Sequence, residues 1–231
     1  QPSEWNHRFK KQRAKVNYVV EELPPLTKKI NKPSRWKQFQ TFFLRDGLSK
    51  LKNRQFMLMM LLQAPLLGFF LSIFLKEFSG NKTEVYTFFS NSNIPSFLFV
   101  SVLVAIFFGT TMSAEEIFKD RKILKRQRYL HLSWNSYLIA KIVILVLISG
   151  IQSLLYTLVS SLVIGLYPSF LPYWILLFSL TIWANILGLS ISILFNSTKV
   201  IYITIPIIII PQIIFSGLMV SYDRMHPWIR T

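Results

Sequence analysis

The sequence predicts an all-α, polytopic transmembrane domain, and three observations carry that expectation. Five apolar runs occur, at 56–75, 94–112, 137–166, 173–195 and 200–220, each near the roughly 20 residues that cross a hydrocarbon core. Hydrophobic residues make up 52% of the 231-residue chain and charged residues only 16%, with a mean hydropathy of +0.42. Positive charge is also segregated: residues 1–55 carry fourteen Lys and Arg and the 113–136 loop six, against two in 76–93, none in 167–172 and two in 221–231. Positive-inside bias then puts the N-terminus, the 113–136 loop and the 196–199 turn in the cytoplasm. The net charge of +16 reads as a topology signal plus attraction to anionic lipid. Nucleic-acid binding is not expected, because no stacking aromatics interleave the basic arm on a platform.

Each element has a local reason. Residues 1–32 mix charges with scattered apolar residues and run into Leu23-Pro24-Pro25-Leu26; they read as a cytoplasmic linker from an upstream domain, partly helical before the prolines. Gln1 and Thr231 both read as cut ends of something longer. From 33 to 55 the spacing predicts an amphipathic helix: Trp36, Phe39 and Phe43 share a face widened by Leu44, Leu48 and Leu51. Arg35, Lys37, Arg45, Lys50, Lys52 and Arg54 form its basic side. Such a helix lies in the membrane interface; the competing reading is a helix packed on a soluble domain. The first span holds Pro65 and Gly68, where a kink is expected, and its outer loop carries the sequon Asn81-Lys82-Thr83.

Between the second and third spans, residues 114–130 predict a short charged helix with Ile117, Leu124, Phe118 and Ile123 on its apolar side. It is too polar for lipid and suits docking of a partner; the alternative is a solvated loop that only fixes topology. The third span places Ser149, Ser153, Thr157 and Ser161 in one stripe, and the fourth places Ala184, Gly188 and Ser192 in another. Both stripes read as helix-packing surfaces, and Gln152 and Asn185 as interhelical hydrogen-bonding groups. The fifth span is bent by Pro206 and Pro211 and closes on Ser216-Gly217-Leu218-Met219.

Several chemistries lack their residues. No G-x-x-x-x-G-K-[ST] loop occurs, so no P-loop ATPase is expected within the chain. His7, His131 and His226 stand far apart, cysteine is absent, and no metal or cofactor site is expected. Ion-coupled carriers mark their path with ionisable groups inside the spans; here Lys141, one turn into the third span, is the sole candidate. An uncharged path fits lipid-like or amphipathic cargo. A channel or secondary carrier independent of ATP, and a membrane-anchored scaffold, remain the competing classes.

Four segments resemble the membrane domain of ATP-binding-cassette (ABC) exporters of the ABC-2 type, in particular the G subfamily of eye-pigment, sterol and multidrug half-transporters. They are Trp36-x-Gln38-Phe39 with Arg45 and Arg54, Ser113-Ala114-x-Glu116-x-Phe118, Tyr137-Leu138-x-Ala140-Lys141, and Phe215-Ser216-Gly217-Leu218-Met219-Val220 followed by Pro227-Trp228. The resemblance implies six spans and a connecting helix at 33–55. It also implies a coupling helix at 114–130 and a re-entrant segment beginning at 221–231. A nucleotide-binding domain upstream on the same polypeptide would supply ATP and Mg, and a second half-transporter would complete a homo- or heterodimer in the plasma membrane. Glu116, Phe118, Asp120 and Lys141 would couple the spans to that domain, Glu116 pairing with an Arg of the connecting helix or with Lys141. Leu218 and Met219 would plug the exit, methionine replacing a leucine at conserved volume. Phe108 and Ile213 would line the cavity, although Gly109 stands where the family places its clamping aromatic. The 120–137 stretch is longer than in typical members.

Overall fold

The computed structural model describes residues 2–15, 33–76, 91–127 and 132–215, all helical apart from short turns. Two units are distinguished, residues 1–32 and residues 33–231. In the first, the described element is α1 (Pro2–Lys15). The second contains α2 (Arg35–Lys52), α3 (Arg54–Leu75), α4 (Ile94–Ser113), α5 (Glu116–Gln127), α6 (Trp134–Ile164), α7 (Phe170–Leu194) and α8 (Thr198–Phe215). Arg54–Leu75, Ile94–Arg126, Trp134–Ile164 and Tyr167–Leu194 are long and apolar enough to cross a membrane. The helix at 198–215 is equally apolar but shorter, and the 216–220 end of the expected fifth span lies outside the described residues.

The boundaries follow caps. Ser34 accepts a bond from Lys37 N at the start of α2. Asn53 separates α2 from α3 and accepts from Phe56 N with its side chain, so the connecting helix stops three residues short of the expected 55. Ser133 caps α6, which begins three residues before the expected 137. Gly165 ends α6 at φ 79°, a left-handed conformation that disfavours any residue with a Cβ, and its amide bonds back to Ser161 O. Pro65 in α3 and Pro206 and Pro211 in α8 are carried inside continuous helices.

In α2 the side turned to the bundle adjoins the apolar face expected to meet the membrane interface. Phe42 and Gln38 are buried, whereas Trp36, Leu44, Leu48 and Leu51 are exposed. Phe39 and Phe43 pack beside Phe42 against Ile117, Tyr137 and Leu145. The helix thus has two apolar sides, one turned to the bundle and one turned away from it.

The bundle pairs α4 with α7 and α3 with α6, with α6 against α7 between them. The small-residue stripe on α7 makes the first pairing possible. A Cβ on Gly109 would stand 2.5 Å from Thr181 O and 2.7 Å from Ala184 Cβ. One on Gly188 would run into Ser113 Oγ and the Thr110 carbonyl. The hydroxyl stripe on α6 is buried throughout. Asn185 Nδ2 donates to Ser149 Oγ at 2.6 Å, Gln152 Nε2 reaches Met60 O at 3.5 Å, and Tyr156 donates its hydroxyl to Ser101 Oγ at 2.8 Å. Ser101, Thr110, Ser113 and Ser160 return their hydroxyls to carbonyls of their own helices. Polar groups in this apolar interior are therefore mostly satisfied within or between helices, as hydrocarbon surroundings require.

Two glycine substitutions separate close packing from helix propensity. Gly188→Ala is expected to destabilise the domain by about 1–3 kcal/mol through overpacking against α4. Gly47→Ala, in open space on α2, is expected to stabilise by about 0.5–1 kcal/mol. Thermal unfolding in detergent reads both.

Candidate functional site

The most polar feature of the bundle is an ion cluster where α2, α5 and α6 meet. Lys141, one turn into α6, has a side chain only 4% exposed. Its ammonium meets Asp46 Oδ1 at 2.5 Å, Glu116 Oε2 at 2.8 Å and Asp120 Oδ2 at 3.1 Å. Lys50, one turn after Asp46 on α2, adds a second ammonium at 2.6 Å from Glu116 Oε2 and 3.3 Å from Asp46 Oδ2. Tyr137 donates its hydroxyl to Asp120 Oδ2 at 2.9 Å. Glu116 and Asp120 stand four residues apart on α5, so both carboxylates leave the same face of the helix.

Burial alone disfavours the charged form of Asp46, but the Lys50 and Lys141 ammonium groups outweigh it and hold the carboxyl below its ordinary value. A buried lysine so surrounded depends on its partners: removing one side of a buried ion pair leaves an uncompensated charge, typically a loss of about 3–5 kcal/mol.

Two further contacts fix α5. Ser192 Oγ, from the α7 stripe, accepts from the amides of Ile117 at 3.1 Å and Phe118 at 2.9 Å. These are orphan donors of the first helical turn. In return Arg121 donates to the carbonyls of Ser192 at 3.2 Å and Ile193 at 2.5 Å, near the end of α7. The start of α6 is tied to α2 by Ser133 N donating to Gln38 Oε1 at 2.7 Å and by Ser136 Oγ donating to Arg35 O at 3.0 Å. A groove of about 460 Å³ opens beside α5, walled by Phe42, Ile117, Leu124, Leu132, Trp134 and Tyr137.

A family model described as ABC-2 type transporter matches residues 37–231. The chain belongs to that family. As an ABC-2 membrane domain it is the permease component of an ABC transporter and an integral membrane protein. A comparison with curated proteins gives no match.

Of the residues expected to couple this permease to its motor, the fold brings Glu116, Asp120 and Lys141 into one cluster. Phe118 lies elsewhere, packed against the cluster of Ile191, Ile201, Ile205 and Ile209, with the Arg121 guanidinium 6.0 Å from its ring centroid. Glu116 pairs with Lys141, as one of the two expected alternatives, and with a lysine of α2, Lys50, in place of an arginine. Arg45 instead sits 5.2 Å from the Phe42 ring centroid. Phe108 is 4% exposed in the core with Ala64, Phe97, Tyr156 and Leu177. Ile213 packs at the far end of α8 with the Ile209 cluster. Leu218, Met219 and Asn81 lie outside the described residues, as do 128–130 of the expected coupling helix. Among the described residues no group of His, Asp or Glu could hold a metal ion.

Asp46 is the cluster member that sequence reasoning missed. Its signal is faint: an acid one turn before Lys50 in an otherwise basic helix. With its carboxyl held below the ordinary value of 3.8, Asp46 contributes stability fully above that pH and loses it as pH falls through the lowered value. Thermal unfolding of the wild type should therefore exceed that of Asp46→Asn at neutral pH, and the gap should close well below pH 3.8.

Proposed function

We propose that this domain is the permease half of an exporter of the G-subfamily type. In this reading it moves lipid-like or amphipathic cargo out of the cytoplasm or inner leaflet. The energy comes from ATP and Mg in a nucleotide-binding domain. A second half-transporter, of the same or a different chain, completes the path, in a plasma membrane with the N-terminus on the cytoplasmic side. One observation carries the reading: α5 is a charged helix anchored to four other helices at once. It follows α4 directly, shares ions with α2 and α6, and exchanges hydrogen bonds with α7.

Such an anchored helix acts as a lever. A push on its exposed basic face, which carries Lys122, Lys125 and Arg126, passes through rigid partners instead of bending one loop. The apolar groove beside it offers the nucleotide-binding domain a second purchase. Cargo class follows from the spans, whose interior is lined by apolar groups and uncharged polar ones, with Lys141 committed to carboxylates. Leu218 and Met219 are assigned the exit plug, and Phe108 and Ile213 the inner lining.

Glu116 is the mechanical test. Glu116→Ala in the complete transporter should lower cargo moved per ATP hydrolysed severalfold while hydrolysis continues. Flux and phosphate release measured together in proteoliposomes check it, and an unchanged ratio would refute the coupling role.

A further inference from the structure

We infer that the cleft bounded by α2, α3, α4, α5, α6 and α8 binds amphipathic cations, the ammonium head at Glu115 and the tail along the α3 and α4 methionines. This assigns a chemical class to the cargo; only the direction of travel rests on the exporter reading, because binding needs no nucleotide.

The cleft encloses about 470 Å³, within the range of small-molecule sites. Its apolar wall is Phe56, Met59, Met60 and Met112. Methionine is flexible and polarisable, suited to tails of variable shape. The other end holds four carboxylates, Asp46, Glu115, Glu116 and Asp120, against three ammonium groups, Lys50, Lys119 and Lys141. The site therefore favours a cation over an anion of equal size.

The surplus carboxylate belongs to the cluster, where Asp46, Glu116 and Asp120 face Lys50 and Lys141, while Glu115 with Lys119 is neutral; Glu115 stands apart because its counter-ion is the exposed one. Lys50 and Lys141 are held by Asp46, Glu116 and Asp120 inside the cluster. Glu115 has Lys119 at 2.6 Å and a hydrogen bond from the Tyr202 hydroxyl. Lys119 is 68% exposed whereas the Glu115 side chain is 16% exposed, so the lysine is the half of the pair that regains water when it leaves, and helix pairs one turn apart contribute little. An arriving ammonium can take its place at small loss, while its tail gains the apolar wall that Lys119 cannot cover. Inorganic cations lack that second contact, and a neutral lipid lacks the first.

The test uses the complete transporter in nanodiscs of neutral lipid, without nucleotide. The probe is a diazirine-bearing hexadecyltrimethylammonium, compared with the matching hexadecanol. Labelled peptides covering 56–63 and 111–115 are expected for the cation and weakly for the alcohol. Glu115→Gln should weaken the cation's apparent affinity about two- to fivefold and leave the alcohol unchanged. Lys119→Gln, which removes the internal competitor, should strengthen it, a gain that misfolding cannot imitate. Equal labelling by both probes, labelling elsewhere, or no gain with Lys119→Gln would overturn the inference. Loss of ATP-driven flux with binding intact would instead count against the exporter reading alone.

Discussion

The ammonium of Lys141 is the constraint around which the bundle is organised. A lysine this deep in an apolar helix survives only with its charge answered, and the answers come from two other helices: Asp46 on α2, Glu116 and Asp120 on α5. The dependence is mutual, since each carboxylate is itself largely withdrawn from water. Separating α2, α5 and α6 would strand buried charge on every fragment, so the three move together or the cluster breaks. Lys50 strengthens this by bridging Asp46 and Glu116 across the α2–α5 boundary.

Rigidity beyond the cluster comes from packing and local hydrogen bonding. The contact of α4 with α7 is close enough that Gly109 and Gly188 leave no room for a Cβ, and Ser192 in the same stripe caps α5. One small-residue row thus serves two ends: it lets two spans touch along their length and ties α5 to one of them. Packed interiors of this kind shift between discrete arrangements and do not deform continuously. A displacement of α5 therefore reaches α4, α6 and α7 as rigid elements.

The spans were legible because length and apolarity are local properties, and their ends shifted by only a few residues where Asn53, Ser133 and Gly165 act as caps. Lys141 stood out as a lone cation inside a span. Its partners were only half legible. Glu116 and Asp120 came with a resemblance, whereas Asp46, 95 residues from Lys141 in sequence, is hidden within a basic helix where local spacing offers Lys50 as a sufficient partner. The bundle-facing side of α2 was hidden for a related reason: Trp36, Phe39 and Phe43 fit one helical stripe, whereas burial of Phe42 and Gln38 is decided by Tyr137 and Ser133 of a distant element. The capping role of Ser192 has no sequence signature of its own, because it serves another helix.

The central claim is that α5 and α2 move as one body because the ion cluster joins them. The domain has no cysteine, so cysteines replacing exposed Leu48 on α2 and Lys122 on α5 can be spin-labelled specifically once any cysteines of the other domains are replaced by serine. Pulsed electron-spin distances between them would be measured in the complete transporter, nucleotide-free and ATP-trapped. The account predicts one narrow distance distribution, unchanged between the two states, that broadens when Lys141 is replaced by methionine. A wild-type distance that shifts with nucleotide would contradict it.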